Sequence, residues 1–121
     1  MKKRILVVEN NKDILELIAM VLDEAGYESS LHTNENFLFE KIVEFNPDVI
    51  LLDIIKPSAE GTELCRQIKE AEGTNHIPVI VLSTHPHIQK VKEVCADEIV
   101  PKPFDIDGLL ETLQEQLKHA S

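Results

Sequence analysis

Residues 49–61 read VILLDIIKPSAEG. Val49, Ile50, Leu51 and Leu52 stand together without polar alternation, and the run ends on an acid, Asp53. Such a run suits a strand buried on both faces of a parallel sheet. Three more runs share that character: Ile5–Val8, Ile77–Leu82 and the shorter Ile99–Val100. Tyr27–His32 is more polar and reads as an edge strand.

Helical patterns lie between these runs. Ile14, Leu17, Ile18, Val21, Leu22 and Ala25 recur at spacings of three and four, which makes one apolar stripe. Asn10 or Asn11 can cap that helix and Gly26 can end it. A second helix is predicted from Glu35 to Phe45, broken by Asn46-Pro47-Asp48. A third is predicted from Thr62 to Ala71, with Leu64, Cys65 and Ile68 inward. A short fourth covers Ile88–Cys95. The last runs from Ile106 to Lys118, with Leu109, Leu110, Leu113 and Leu117 on one face. Strand and helix thus alternate five times, which predicts an α/β, doubly wound parallel sheet with helices on both sides. No linker, repeat or low-complexity segment interrupts the pattern, so residues 1–121 are read as one domain.

Charge narrows the function. Twenty-two acids stand against 12 Lys and Arg, a formal net charge of −10. That field repels nucleic acid and suits a protein partner or a cation, so no direct nucleic-acid contact is expected. Cys65 and Cys95 give no disulfide framework and read as two small buried hydrophobes. Met1-Lys2-Lys3-Arg4 is basic, but the apolar run after it stops at Glu9, too short for a secretory segment. No stretch approaches a membrane span. A cytoplasmic location is the expectation.

In doubly wound sheets, ligands bind at the carboxyl ends of the strands. Glu9 and Asn10 follow the first strand, Asp53 the third, Ser83 and Thr84 the fourth, and Lys102 with Pro103 the fifth. Acids, a hydroxyl and a lysine meeting at one edge fit a small anionic group together with a cation.

At these residues the chain resembles the receiver domain of two-component response regulators. ILVVEN resembles the family's acidic first turn, VILLDIIKPSAEG its phosphoacceptor segment, IPVIVLST its hydroxyl-bearing turn and VPKPF its lysine turn. Four motifs in the right order, spread over the whole chain, make the match specific. The resemblance implies a flavodoxin-like (βα)5 fold with strand order 2-1-3-4-5. It also implies a phosphorelay switch rather than an enzyme. Asp53 matches the carboxylate phosphorylated by a histidine kinase or phosphotransfer protein, and the switch would act on an unknown downstream protein. Glu9 and Asn10 match the acidic pair that holds Mg²⁺, with Asp53 and the backbone carbonyl of Ile55 completing the metal site. Ser83 matches the hydroxyl that contacts a phosphoryl oxygen, and Lys102 matches the lysine that pairs with Asp53. The Lys102–Pro103 peptide matches the family's cis bond.

Three positions depart from the pattern. Asn10 replaces a usual Asp, so one ligand charge is missing and Mg²⁺ binding is expected to be weak. Ile99 stands where many receivers carry Tyr or Phe. The stretch from Ser83 to Lys102 is short and contains Pro86, so a truncated or displaced fourth helix is expected. These departures keep open a second reading, a degenerate receiver that works as a protein-interaction module without phosphate. Each site residue also has a plain structural alternative: Asp53 as a turn residue, Glu9 and Asn10 as a helix start, Ser83 as a strand-end hydroxyl, and Lys102 as a surface lysine. Readings from other classes fare worse. A dehalogenase-like phosphatase needs a second carboxylate two residues after Asp53, where Ile55 stands. A flavin binder needs a phosphate-holding first loop, where Glu9 would repel the phosphate. His85 and His87 lack a third ligand at zinc spacing and read as solvated loop residues. Glu93, Asp97 and Glu98 read as a solvated face. With nothing after Ser121, a stand-alone receiver and a piece of a longer protein are both open.

Overall fold

Five parallel strands run side by side in the order β2-β1-β3-β4-β5. They are β1 (Arg4–Val8), β2 (Glu28–His32), β3 (Val49–Asp53), β4 (Val79–Ser83) and β5 (Glu98–Pro101). Five helices alternate with them: α1 (Lys12–Glu24), α2 (Leu38–Phe45), α3 (Glu63–Glu70), α4 (Lys90–Val94) and α5 (Ile106–His119). The computed structural model describes residues 2–54, 62–102 and 104–119. The doubly wound, flavodoxin-like sheet expected from the sequence is the one observed.

Strand side chains alternate between two cores. Ile5, Val7, Val49, Leu51, Ile80, Leu82 and Val100 pack against α1 and α5, through Ile18, Leu22, Leu109 and Leu113. Leu6, Val8, Ile50, Leu52, Val79, Val81 and Ile99 face the other way, towards α2, α3 and α4. Both faces of β1, β3 and β4 are therefore buried, which is why their sequences do not alternate. Each fully buried Leu or Ile contributes roughly 1.5–3 kcal/mol relative to exposure.

The α1 stripe differs from expectation at its flanks: Ile14 is half-buried, and Ala25 is exposed as the C-cap. Leu15 is buried and Leu17 is 41% exposed. The stripe is narrower, Leu15, Ile18, Val21 and Leu22, because only one flank of the helix meets the sheet. Helix α2 begins at Leu38, three residues later than predicted. The backbone before it is used in a turn, where the N–H of Asn36 donates to Asn34 Oδ1, and Phe37 adopts a left-handed φ of 56°. Asp97 is not simply solvated. Its Oδ2 accepts from Lys69 Nζ at 2.8 Å and from the Val79 N–H at 2.8 Å, tying α3 to the start of β4.

The cysteines require a larger correction. Both are buried, as expected, but they are joined as a disulfide with Cα atoms 5.8 Å apart. Their sequence separation hid the pairing. Cys65 lies in the first turn of α3 and Cys95 caps the end of α4, and the two helices cover the same sheet face.

Candidate functional site

Four strand ends meet at the carboxyl edge of the sheet. Glu9 directly follows β1, and its N–H donates to the His32 carbonyl at 3.0 Å, extending the pairing of β1 with β2. That backbone bond directs the side chain inward, where it is fully buried. Glu9 Oε2 accepts from the Asn11 N–H at 3.2 Å. Glu9 Oε1 faces the Lys102 ammonium at 2.6 Å and has no other polar partner among the described residues.

Asp53 is the last residue of β3, in register with Leu82. Its Oδ1 lies 3.1 Å from Lys102 Nζ. Lys102 leaves β5 with its N–H bonded to the Ser83 carbonyl at 2.8 Å, which fixes where the side chain starts. The ammonium then sits between two carboxylates, with one negative charge in excess over the three residues. A lysine side chain that is only 9% exposed requires such partners. Ser83 closes β4 and is buried, and its Oγ accepts from the His85 N–H at 3.1 Å. It lies one residue beyond the partner of Asp53 on the neighbouring strand.

The two adjacent asparagines have separate positions. Asn11 is the α1 cap, accepting from the N–H groups of Asp13 and Ile14. Asn10 is exposed and lines a cleft of about 360 Å³ with Val8, Thr33, Asn34, Glu35, Asn36 and Asp53. The loop between β2 and α2 thus forms one wall of the cleft beside Asp53. Sequence reading missed that wall, whose only signal is the polar run HTNEN, residues 32–36, before α2. The direct pair between Glu9 and Lys102 was missed too, since nothing local relates residues that far apart.

Glu9, Asn10 and Asp53 offer hard oxygen donors of the kind a divalent cation takes. The otherwise unpartnered Oε1 of Glu9 fits that use, because a buried carboxylate oxygen without a full set of partners is costly. No group of three or more His, Cys, Asp or Glu gathers among the described residues, so any ion would rely on Asn10, backbone and water for its remaining ligands. Ile55 and Pro103, expected to supply a carbonyl ligand and a cis bond, lie outside the described residues. His85 and His87 form a turn, with the His87 N–H donating to His85 Nδ1, and no third metal ligand joins them. A second cleft, of about 520 Å³, lies between α2 and α3 against Phe37, Phe39 and Leu64, away from these strand ends.

The chain was compared with known proteins. The family model for the response regulator receiver domain matches residues 5–114. The phosphate regulon transcriptional regulatory protein PhoB of Pseudomonas aeruginosa is 38% identical over 119 residues, 96% of this chain and 52% of that protein. The DNA-binding dual master transcriptional regulator RpaA of Synechocystis is 30% identical over 118 residues, 95% of this chain and 49% of that protein. The chain therefore spans about half the length of these curated relatives. Among solved structures, one is the receiver domain of a Pseudomonas aeruginosa sensor histidine kinase, with a magnesium ion coordinated in its active-site cleft. It superposes with a TM-score of 0.84, covering 98% of this chain and 99% of that one at 23% identity, a likeness of fold. No helix among the described residues is long and apolar enough to cross a membrane. With the fold, the matched span and the relatives in agreement, the chain belongs to the response regulator receiver domain family, the phosphoacceptor switches of two-component systems, which are not enzymes.

Proposed function

We propose that Asp53 is the phosphoacceptor, charged by a histidine kinase or a histidine phosphotransfer protein, and that residues 1–121 act as one receiver unit. The observation that carries this reading is Lys102 Nζ, held between Asp53 at 3.1 Å and Glu9 at 2.6 Å. In this reading an Asp53 oxygen attacks the phosphorus of a phosphohistidine. The P–N bond breaks, the imidazole leaves with the electron pair and takes a proton, and an acyl phosphate remains on Asp53. Lys102 orients the carboxylate beforehand and then contacts one phosphoryl oxygen. Ser83 donates its hydroxyl to another phosphoryl oxygen while its Oγ accepts from the His85 N–H, which couples occupancy at Asp53 to the start of the β4–α4 segment. A Mg²⁺ held by Glu9, Asn10 and Asp53 would screen the repulsion between Asp53 and the incoming phosphate. Ile99 is buried on the α4 side of the sheet, so output towards the downstream protein runs through backbone and helix shifts rather than an aromatic ring.

The cytoplasm is the matching location for such a donor. The charge argument against nucleic acid applies to these 121 residues only. RpaA is named as DNA-binding, so DNA contact by another segment of a longer protein is consistent with the reading.

Incubation with acetyl phosphate and Mg²⁺, followed by intact mass, tests the proposal. Wild type gains one phosphoryl adduct and Asp53→Ala gains none. An adduct that survives Asp53→Ala overturns the assignment of Asp53. Asn10 favours the second reading, a phosphate-independent interaction module. That reading takes over if wild type forms no adduct and beryllofluoride with Mg²⁺ shifts no amide near Asp53 and Ser83.

A further inference from the structure

The disulfide between Cys65 and Cys95 ties together the two segments that leave the site. Helix α3 follows the stretch after Asp53, and α4 follows the stretch after Ser83. Cys65 lies in the first turn of α3, and Cys95 is the C-terminal cap of α4. Apart from this bridge, α4 is weakly held. It has five residues and no side-chain cap, and Val91 is its one buried residue. Val94 beside the bridge is 53% exposed. Lys92 pairs with Glu98, but that pair is largely solvated and contributes little. The covalent tie therefore carries much of what positions α4 against α3.

The two sulfurs differ in access. Cys65 is fully buried, whereas Cys95 is 8% exposed at the frayed end of α4. An attacking thiolate reaches Cys95 first. The surroundings also accept the reduced state. Ile54, Ile68, Val91 and Ile99 line the same apolar layer, in which a thiol packs as a small hydrophobe. Reduction thus removes the tether without leaving an unpaired charge in the core.

We propose that Cys65 and Cys95 form a reversible dithiol–disulfide couple that sets how freely α4 moves against α3. A small-molecule thiol supplies the electrons. Its thiolate attacks Cys95 Sγ, the Cys65–Cys95 bond breaks, and Cys65 leaves as a thiolate that takes a proton. A second thiol then attacks the mixed disulfide, releasing Cys95 as a thiol and one oxidised small-molecule disulfide. Two electrons enter the protein, two small thiols are oxidised, and the reverse sequence closes the bridge. This couple stands whether or not Asp53 accepts phosphate.

The test equilibrates the full chain across ratios of reduced to oxidised glutathione, quenches with acid, and alkylates the unfolded protein for intact mass. One transition from no alkylated thiols to two is expected within that range. Amide exchange is then compared between the end states at Val91, Lys92, Cys95 and Ala96, whose N–H groups hold the α4 turn and its end. Exchange about tenfold faster in the reduced form is expected, the mark of a locally loosened element. Cys95→Ala should exchange at the reduced rate at every ratio. Thiols open at every ratio, a bridge closed at every ratio, or equal exchange in the two forms each overturns the proposal. The wild-type comparison decides it even if the variant does not fold.

Discussion

Asn10 and Asn11 are the same amino acid one position apart, yet the fold assigns them different surroundings. The side-chain oxygen of Asn11 serves two amides of α1, while Asn10 lines the cleft beside Asp53. Changing Asn10 to Asp therefore adds a ligand charge without removing a cap. Asn10→Asp should tighten Mg²⁺ binding about tenfold, since hard cations respond to ligand charge. Titration of both proteins followed by amide shifts measures this, and equal affinities would remove Asn10 from the site. A neighbouring residue gives a pH handle. Burial, and then the charge of Lys41, lowers the pKa of His32 below its ordinary 6.5. The unfolded chain then takes up the proton first as pH falls. The contribution of His32 to stability is complete above 6.5 and declines as pH drops from there towards the lower folded value. NMR titration should place its midpoint below 6.5, and Lys41→Gln should move it part of the way back up. A midpoint indifferent to Lys41→Gln would leave burial as the sole cause.

Elements were legible in the sequence where one interaction dominates, and less so where several compete. The strands β1, β3 and β4 were readable because burial on both faces leaves an unbroken apolar run. The start of α2 was not, because a side-chain turn at Asn34 competes for the same backbone. For α1 the sequence allowed either asparagine as the cap, and the backbone decides it: Asn11 is extended at ψ 113° with its oxygen on the Asp13 and Ile14 amides. Asn11→Ala should cost about 1 kcal/mol, whereas Asn10→Ala should stay within about 0.5 kcal/mol, as for an ordinary surface change. Urea denaturation of the two variants separates them, and equal losses would mean that the cap is shared. The site followed the same logic. Its residues were visible as strand ends, since the carboxyl edge of a parallel sheet collects them. The ion pair of Glu9 with Lys102 was not visible, because it depends on the three-dimensional neighbourhood of β1 and β5.

At the scale of the whole molecule, the bridge is a constraint that composition did not reveal. Two cysteines 30 residues apart close a loop that contains β4 and Ser83. Closing such a loop restricts the unfolded chain, and chain-entropy reasoning assigns a native bridge of this span about 2–4 kcal/mol. Reductant should therefore lower the stability of wild type by about that amount in urea. The same change should be absent in Cys65→Ala/Cys95→Ala. The slope of the transition gives a second reading, because a cross-linked unfolded state exposes less surface, so the slope should rise on reduction. If midpoint and slope are both indifferent to reductant, the cysteines are not paired in solution. The stability change and the behaviour of α4 are separable. A bridge that acts only on the unfolded ensemble lowers the midpoint on reduction yet leaves native exchange at Val91 and Cys95 unaltered. A bridge that also holds α4 in place changes both. Stability and exchange measured on one redox-poised sample thus distinguish a staple that merely strengthens the fold from a tether that regulates the helix after Ser83.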